Sequence, residues 1–367
     1  MNKSLETVPV SNWMHNSERP VIISGPCSAE SEAQVLSTAR ALAASGRVSV
    51  LRAGIWKPRT RPNSFEGVGE PGLAWLVKAR AETGLPITTE VAKASHVEAC
   101  LKHGVDVLWI GARTTVNPFS VQEIADALRG VDIPVMVKNP INPDVALWIG
   151  AIERLHQAGI SKLATIHRGF SSYQKTPFRN EPKWELAIEM KRQLPELDMF
   201  CDPSHIAGNR DLLGMIAQKA LDLDMTGLML ESHIQPEVAL SDKDQQVTPA
   251  GLVEILDDLT VRIATSDSVT FRTQLDQLRS QIDELDENIL QSLSARMKVA
   301  EKIGQYKAEN NVTVLQVKRW EEIMQHRLGI GTAMGLSEEF ISRFLQLVHK
   351  ESISKQTAIM NAEKTRR

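Results

Sequence analysis

Between residues 21 and 262, short apolar runs alternate with stretches of helical periodicity eight times over, and nothing else in the sequence restricts the fold as tightly. The apolar runs span residues 21–25, 49–55, 87–91, 105–111, 133–138, 163–167, 199–202 and 227–231. Each has the length and composition of a buried strand. Helical patterns at 72–83, 144–158 and 211–223 lie between them, and the last, at 249–262, starts with Thr248 as N-cap and Pro249 at the first helical position. Eight strand–helix units in about 240 residues predict an α/β fold, a (β/α)8 TIM barrel. A doubly wound open sheet is the alternative. It usually carries about six strands, and no glycine-rich dinucleotide fingerprint follows the first run here.

The polar residues favour the barrel independently. A chemically loaded residue closes each run: Cys27, Lys57, Glu90, Arg113, Lys138, Arg168, His205 and Glu231. Barrel active sites gather at the C-terminal ends of the strands, whereas an open sheet concentrates them at one switch point. Lys57, Arg59, Thr60 and Arg61 share one loop, while Arg113, Lys138 and Arg168 come from three other strand ends. Taken singly, each arginine is more often half of a surface ion pair. As a convergent set they repel one another unless they bind a multiply charged anion, and the guanidinium fork suits phosphate and carboxylate. Around Glu231 and His233 the last run turns abruptly polar, which is costly at the mouth of a buried strand unless something there needs the charge. A divalent metal would need it. Cys27, His205, Glu231 and Asp242 make a mixed thiolate, imidazole and carboxylate shell, open to Mn²⁺, Fe²⁺ or Zn²⁺.

At 367 residues, 42% hydrophobic and 24% charged, the chain has an ordinary water-soluble composition and length enough for two domains. A net charge of -3 gives no basis for nucleic acid or a membrane surface as partner. The first 20 residues lack the apolar core of a signal peptide, and no run is long enough to span a bilayer. Three scattered cysteines argue for a reducing compartment, the cytoplasm, rather than a disulfide framework. Cys100, inside a helical pattern, reads as a core residue.

The expected layout is a loose or strand-like lead-in at 1–20, the barrel at 21–262, a linker at 263–273 and an all-α domain at 274–367. From Leu275 to about Ala308 there is no proline and one glycine, Gly304. Leu275, Leu278, Ile282, Leu285, Ile289 and Ile303 form an apolar helical seam, interrupted by Arg296. Asn310-Asn311 breaks this helix, and further helical patterns follow at 317–328 and 337–360. A snorkelling arginine is the plain explanation of Arg296. Lys307, eleven residues on, returns to nearly the same face, but Arg279, seventeen residues earlier, lies roughly 25 Å away along the axis. Arg279 can join the other two at one small ligand only from a second, antiparallel copy. That predicts a homodimer through the helical domain, with larger oligomers left open.

Gly25-Pro-Cys-Ser28, Lys57-Pro-Arg-Thr60, Thr89-Glu90, Ile110-Gly-Ala-Arg113, Cys201-Asp-Pro-Ser-His205 and Leu230-Glu-Ser-His233 resemble the 3-deoxy-D-arabino-heptulosonate 7-phosphate (DAHP) synthases. The resemblance covers about residues 18–262 and is to the short-barrel branch, close to the 3-deoxy-octulosonate 8-phosphate synthases. Those carry Lys-Ala-Asn-Arg-Thr-Ser where this chain has Lys-Pro-Arg-Thr. The resemblance implies an aldol-like condensation of phosphoenolpyruvate with erythrose 4-phosphate that releases phosphate, the first step of the shikimate pathway. It makes Cys27, His205, Glu231 and Asp242 the metal ligands, with Asp244 as the alternative to Asp242. Mn²⁺ is the first choice of ion, then Fe²⁺, Zn²⁺ or Co²⁺. It assigns Arg113, Lys138 and Arg168 to phosphoenolpyruvate and Lys57, Arg59 and Thr60 to erythrose 4-phosphate. Lys57 stands where a proton donor to the new alkoxide is expected, a role open also to water or a metal-bound group, and Glu90 is expected to orient that lysine or a water. Trp109 and Thr114, which flank Ile-Gly-Ala-Arg, depart from the more polar neighbours expected there.

Arg279, Arg296, Lys307, Arg319, Ser352 and Gln356, with Leu275-x-x-Leu278 and Ile282-Asp283-x-x-Asp286, resemble the all-helical chorismate mutases over about residues 271–360. That family implies rearrangement of chorismate to prephenate. Arg279 and Arg296 would clamp carboxylates, Lys307 and Gln356 would meet the ether oxygen, and Arg319 and Ser352 would complete the shell. Gln316 and Trp320 stand where acidic residues are expected. Fusion of the pathway's first enzyme to a later one carries the further expectation that chorismate or prephenate, bound to the helical domain, damps the barrel.

Overall fold

The structure, a computed structural model, describes residues 5–14, 18–57, 65–263 and 265–366. Arg59 and Thr60 lie outside the described residues. The chain forms two compact units, Met1–Ala264 and Thr265–Arg367.

The first unit is a closed barrel of parallel strands: β1 (Val21–Gly25), β2 (Val50–Arg52), β3 (Ile87–Val91), β4 (Val107–Ile110), β5 (Val135–Lys138), β6 (Leu163–His167), β7 (Met199–Cys201) and β8 (Gly227–Glu231). β8 closes onto β1 in a register running from Val21–Gly227 to Gly25–Glu231, which rules out the open sheet. A side chain at Gly227 would meet the Val21 carbonyl at 2.1 Å, so glycine is needed where that seam begins. β2 is much shorter than the apolar run 49–55, because Ala53 and Ile55 are buried as loop residues beyond the ladder.

Alternation along the strands builds two cores. Val21, Ile23, Val50, Val107, Trp109, Met136, Ala164, Ile166, Phe200 and Met229 fill the barrel. Their neighbours Ile22, Leu51, Leu108, Val135, Val137 and Leu228 face the helices. The same parity turns the last residues of β2, β5 and β8 (Arg52, Lys138 and Glu231) inward, where all three are buried. The opposite end is plugged by the segment expected to be a loose or strand-like lead-in. A 3₁₀ turn at Val10–Asn12 sends Val10 and Met14 into the inner core, and the Val10 N–H donates to Asp198 Oδ2 at 2.7 Å. Two apolar side chains on a polar segment leave too weak a periodicity to be seen in sequence.

The second unit consists of helices Val269–Glu309, Val317–Ala333 and Glu338–Arg366. The first begins inside the stretch expected to be linker, because the Ser268 hydroxyl accepts the Phe271 N–H at 3.2 Å and caps it there. It ends at Asn310, and Asn311 adopts a left-handed φ of 52°. It packs closely on the last helix: a Cβ at Gly304 would lie 2.9 Å from Gln356 Cα. The apolar seam is largely uncovered in the single chain, with Leu278, Ile282, Leu285 and Ile289 all about half exposed. Among the described residues, no helix is long and apolar enough to cross a membrane.

Candidate active site

Cys27, just past β1, is fully buried. Its thiol donates to Asp242 Oδ2 at 3.3 Å, and its backbone N–H donates to Gln246 Oε1 at 2.9 Å. Asp242 reaches it because the loop after β8 folds back, pairing Val247 with Ser232. One donor atom each of Cys27, Glu231 and Asp242 lies within 4.8 Å of the others. Asp244 is exposed on the turn Lys243–Gln245 and takes no part in this group. His205 stands one step outside it. Its Nδ1 is 2.8 Å from Asp202 Oδ2 and 3.8 Å from Glu231 Oε1, and it makes no aligned hydrogen bond to either.

Burial, reinforced by the Glu231 charge, pushes the Cys27 thiol up to about 12. Burial pushes Glu231 and Asp242 the same way, but the surrounding cations outweigh it and hold both below the ordinary carboxylate range: His205 and Arg52 for Glu231, Arg179 and His205 for Asp242. The donor set suits a divalent ion. Two charged carboxylates and a thiol already converge, and the ring nitrogen of His205 is uncommitted. A divalent cation supplies the charge that lets a buried thiol ionise.

Cations surround this cluster. Arg52 Nη2 is 3.1 Å from Glu231 Oε1, while its Nε and Nη1 are buried without a partner. Lys138 Nζ lies 2.6 Å from Asp202 Oδ2, with both groups buried. Arg168 Nη1 donates to Asn180 Oδ1 at 2.7 Å. Burial and the charges of Arg179 and Arg113 lower Arg168 to about 10, against the opposing pull of Asp202. Arg113 sits on the short helix Ala112–Thr115 and is exposed at the rim. The Lys57 ammonium donates to the Cys27 carbonyl and, at 3.1 Å, to its sulfur. The expected link between Glu90 and Lys57 is absent among the described residues; Glu90 Oε2 accepts from Trp109 Nε1 at 3.2 Å.

In the helical unit, Arg296 donates to the Ser352 hydroxyl, Lys307 Nζ donates to the Val314 carbonyl at 2.6 Å, and Gln356 Oε1 is buried without a partner. His349 stacks on Trp320 at 4.0 Å between ring centroids. Burial, then the charges of Arg296 and Lys307, lower His349. Arg319 pairs with Glu322 at 3.1 Å, and exposed Arg279 pairs with its own Asp276 at 3.4 Å, apart from the group.

Residues 8–265 match the family model described as the DAHP synthetase I family. The chain belongs to this family. Residues 278–357 match chorismate mutase type II, so a DAHP synthetase barrel is joined to a mutase-type helical unit. A phospho-2-dehydro-3-deoxyheptonate aldolase of Thermotoga maritima is 33% identical over 226 residues, 62% of this chain and 64% of its own length; the match thus spans less than two thirds of that relative. A crystal structure of the Thermotoga maritima DAHP synthase superposes with a TM-score of 0.59 at 30% identity, covering 65% of this chain and 68% of that one. A 2-dehydro-3-deoxyphosphooctonate aldolase of Thioalkalivibrio sulfidiphilus is 27% identical over 272 residues, 69% of this chain and 91% of its own.

Three residues at the mouth of this DAHP synthetase barrel escape the sequence argument: Arg52, Asp202 and Arg179. Arg52 falls inside the apolar run 49–55, where its inward parity was the available signal. Asp202 sits between two motif residues and binds both the Lys138 ammonium and the His205 backbone N–H. Arg179 comes from a long loop without periodicity, and reaches Asp242 Oδ1 at 3.1 Å and Gln245 Oε1 at 2.6 Å.

Proposed function

We propose that the chain is a bifunctional enzyme of the shikimate pathway. Its barrel condenses phosphoenolpyruvate with erythrose 4-phosphate to DAHP and phosphate, and its helical unit rearranges chorismate to prephenate. The observation that carries the first activity is the meeting, at one barrel mouth, of the Cys27–Glu231–Asp242 cluster with the buried cations Arg52, Lys138 and Arg168. The family is a divalent-metal-dependent one. Cys27, Glu231, Asp242 and His205 would hold the ion, with Mn²⁺ the first candidate; when bound it would supply Lewis acidity toward an aldehyde or a water.

The protein's own groups do the rest. Arg52, Lys138 and Arg168, with Arg113 at the rim, hold the enol phosphate. Lys57, Arg59 and Thr60 hold the aldose phosphate. Fixed cations bring two anions together against their repulsion and stabilise charge as it moves. Lys57, already beside Cys27, keeps a proton near the new alkoxide. In the mutase no acid–base pair is needed. Arg296 and Arg279 from a second copy clamp the dicarboxylate, while Lys307 and Gln356 meet the ether oxygen and Arg319 and Ser352 complete the shell. The uncovered seam at Leu278–Ile289 supports a homodimer built on this unit. The setting is cytoplasmic, and prephenate or chorismate bound to the helical unit slows the barrel.

Phosphate release from phosphoenolpyruvate tests the barrel. Release should occur with erythrose 4-phosphate, stop with EDTA and return with Mn²⁺; preference for arabinose 5-phosphate would make the barrel an octulosonate synthase. Arg296→Ala should abolish prephenate formation and leave the oligomer intact. A synthase rate indifferent to millimolar prephenate and chorismate contradicts the regulatory part.

A further inference from the structure

Trp109 departs from the polar residue expected before Ile110-Gly-Ala-Arg113, and its surroundings give the departure a role. It is fully buried on β4 and points into the barrel. In register it lies beside Glu90 of β3 on one side and Met136 of β5 on the other. Two cations lie over its indole: Arg52, with its guanidinium carbon 5.0 Å from the ring centroid, and Lys138, with Nζ 5.7 Å away. Its own N–H donates to Glu90 Oε2 at 3.2 Å. Glu90 packs against Gly111, where a Cβ would come within 2.0 Å of Glu90 Oε1. One side chain thus lies against two of the buried cations and the carboxylate at the end of β3.

The physical value of a ring at this place is that it attracts a cation without neutralising it. A carboxylate between Arg52 and Lys138 would compete with an anionic ligand for the same N–H groups. The face of an indole offers attraction through its quadrupole and consumes no donor. The structure carries the signature of that difference, because Arg52 Nε and Nη1 remain buried and unpartnered beside the ring. Two N–H groups in that state are expensive unless a ligand takes them up.

We propose that Trp109 is a positioning residue for phosphoenolpyruvate, an aromatic floor that sets the spacing of Arg52 and Lys138 through its face and the orientation of Glu90 through its N–H. This rests on the reading of the mouth as a phosphoenolpyruvate site. It separates two functions on one side chain: the face acts on substrate binding, and the N–H acts on the chemical step through Glu90, which, with no link to Lys57 among the described residues, is left to orient a water.

The test is steady-state phosphate release by the full chain and its Trp109→Leu and Trp109→Phe variants, varying each substrate in turn. Trp109→Leu removes both functions and should raise KM for phosphoenolpyruvate by about tenfold or more, as expected for losing two desolvated cation–π contacts, with KM for the aldose phosphate unchanged. Trp109→Phe keeps a face and loses the N–H; it should restore most of KM while kcat stays depressed. Should Trp109→Leu fail to fold, tryptophan fluorescence decides the matter. Phosphoenolpyruvate should change the emission of the wild-type chain, and that change should be missing in Trp109→Phe. Wild-type KM in Trp109→Leu, equal damage from Phe and Leu, or the same fluorescence response with and without Trp109 overturns the proposal. A wild-type chain that shows no saturable use of phosphoenolpyruvate overturns instead the reading of the site on which it rests.

Discussion

Asp202→Asn offers the sharpest perturbation of the site's electrostatics. Asp202 is fully buried; its carboxylate accepts from Lys138 Nζ at 2.6 Å and from the His205 backbone N–H at 3.0 Å, and lies 2.8 Å from His205 Nδ1. Burial alone would push its pKa up, but His205 and Lys138 hold it well below the usual carboxylate range. The amide can keep the bond to the His205 N–H and removes the charge. Lys138 is then a buried ammonium without its ion-pair partner, with Glu90 as its remaining counter-charge. Removing one member of such a pair typically costs about 3–5 kcal/mol. For a unit of this size each kcal/mol lowers the melting temperature by roughly 2–4 °C, so the barrel transition should fall by roughly 6–20 °C. Adding Lys138→Met removes the stranded charge and should recover most of the loss, because a neutral buried pair is often as stable as the ionic one. The assay is thermal unfolding at neutral pH of the wild type, both single variants and the double variant. A melting temperature of Asp202→Asn within about 2 °C of wild type, or a double variant no better than Asp202→Asn, refutes the reasoning.

Other consequences are independent of that pair. His167 is buried among Trp148, Phe170 and Trp184, and burial, then Arg168, lowers it to about 3 from an ordinary 6.5. Its folded value lies below its unfolded value, so its contribution is complete above pH 6.5 and disappears as pH falls toward 3, at about 1.4 kcal/mol per pH unit. Denaturant titrations across that window should therefore show a flatter acid limb in His167→Phe. Gly150→Ala, in helix Val145–Gln157 with open space around the added methyl, should stabilise the barrel by up to ~1 kcal/mol. Gly304→Ala is also a helical glycine replacement but meets the backbone of Gln356 at 2.9 Å, and should destabilise the helical unit by roughly 1–3 kcal/mol. Equal effects from the two would contradict the close helix packing. Gly111→Ala should displace Glu90, which a Cβ would approach to 2.0 Å, and lower kcat for phosphate release at least tenfold, on the order of one lost charge-assisted hydrogen bond.

The barrel was legible because its signal is repetitive. Parallel strands buried on both faces must be apolar runs, and eight of them with helices between leave few ways to fold. Strand ends were less legible, since apolar residues such as Ala53 and Ile55 continue past the paired ladder as buried loop. The site was visible where residues stand in motifs at strand ends, as Cys27, Lys138, Arg168 and Glu231 do. It was hidden where long-range geometry decides: Arg179 arrives from a loop, and the choice of Asp242 over Asp244 depends on how the turn at Lys243–Gln245 faces. Trp109 was noticed in sequence as a misfit, but its meaning needs the two cations that the fold places over it. In the helical unit Arg296 and Lys307 could be placed on one face from helical periodicity. The Trp320–His349 stack could not, because its members lie on different helices.

Cobalt substitution reads the convergence of Cys27, His205, Glu231 and Asp242 on one divalent ion without any assay of turnover. Protein loaded with Co²⁺ should bind one ion in the barrel and show a strong near-ultraviolet sulfur-to-metal charge-transfer band, with both the band and tight binding lost in Cys27→Ala and binding weakened in His205→Ala. A cobalt spectrum without a thiolate band, or one that Cys27→Ala leaves unchanged, would contradict it.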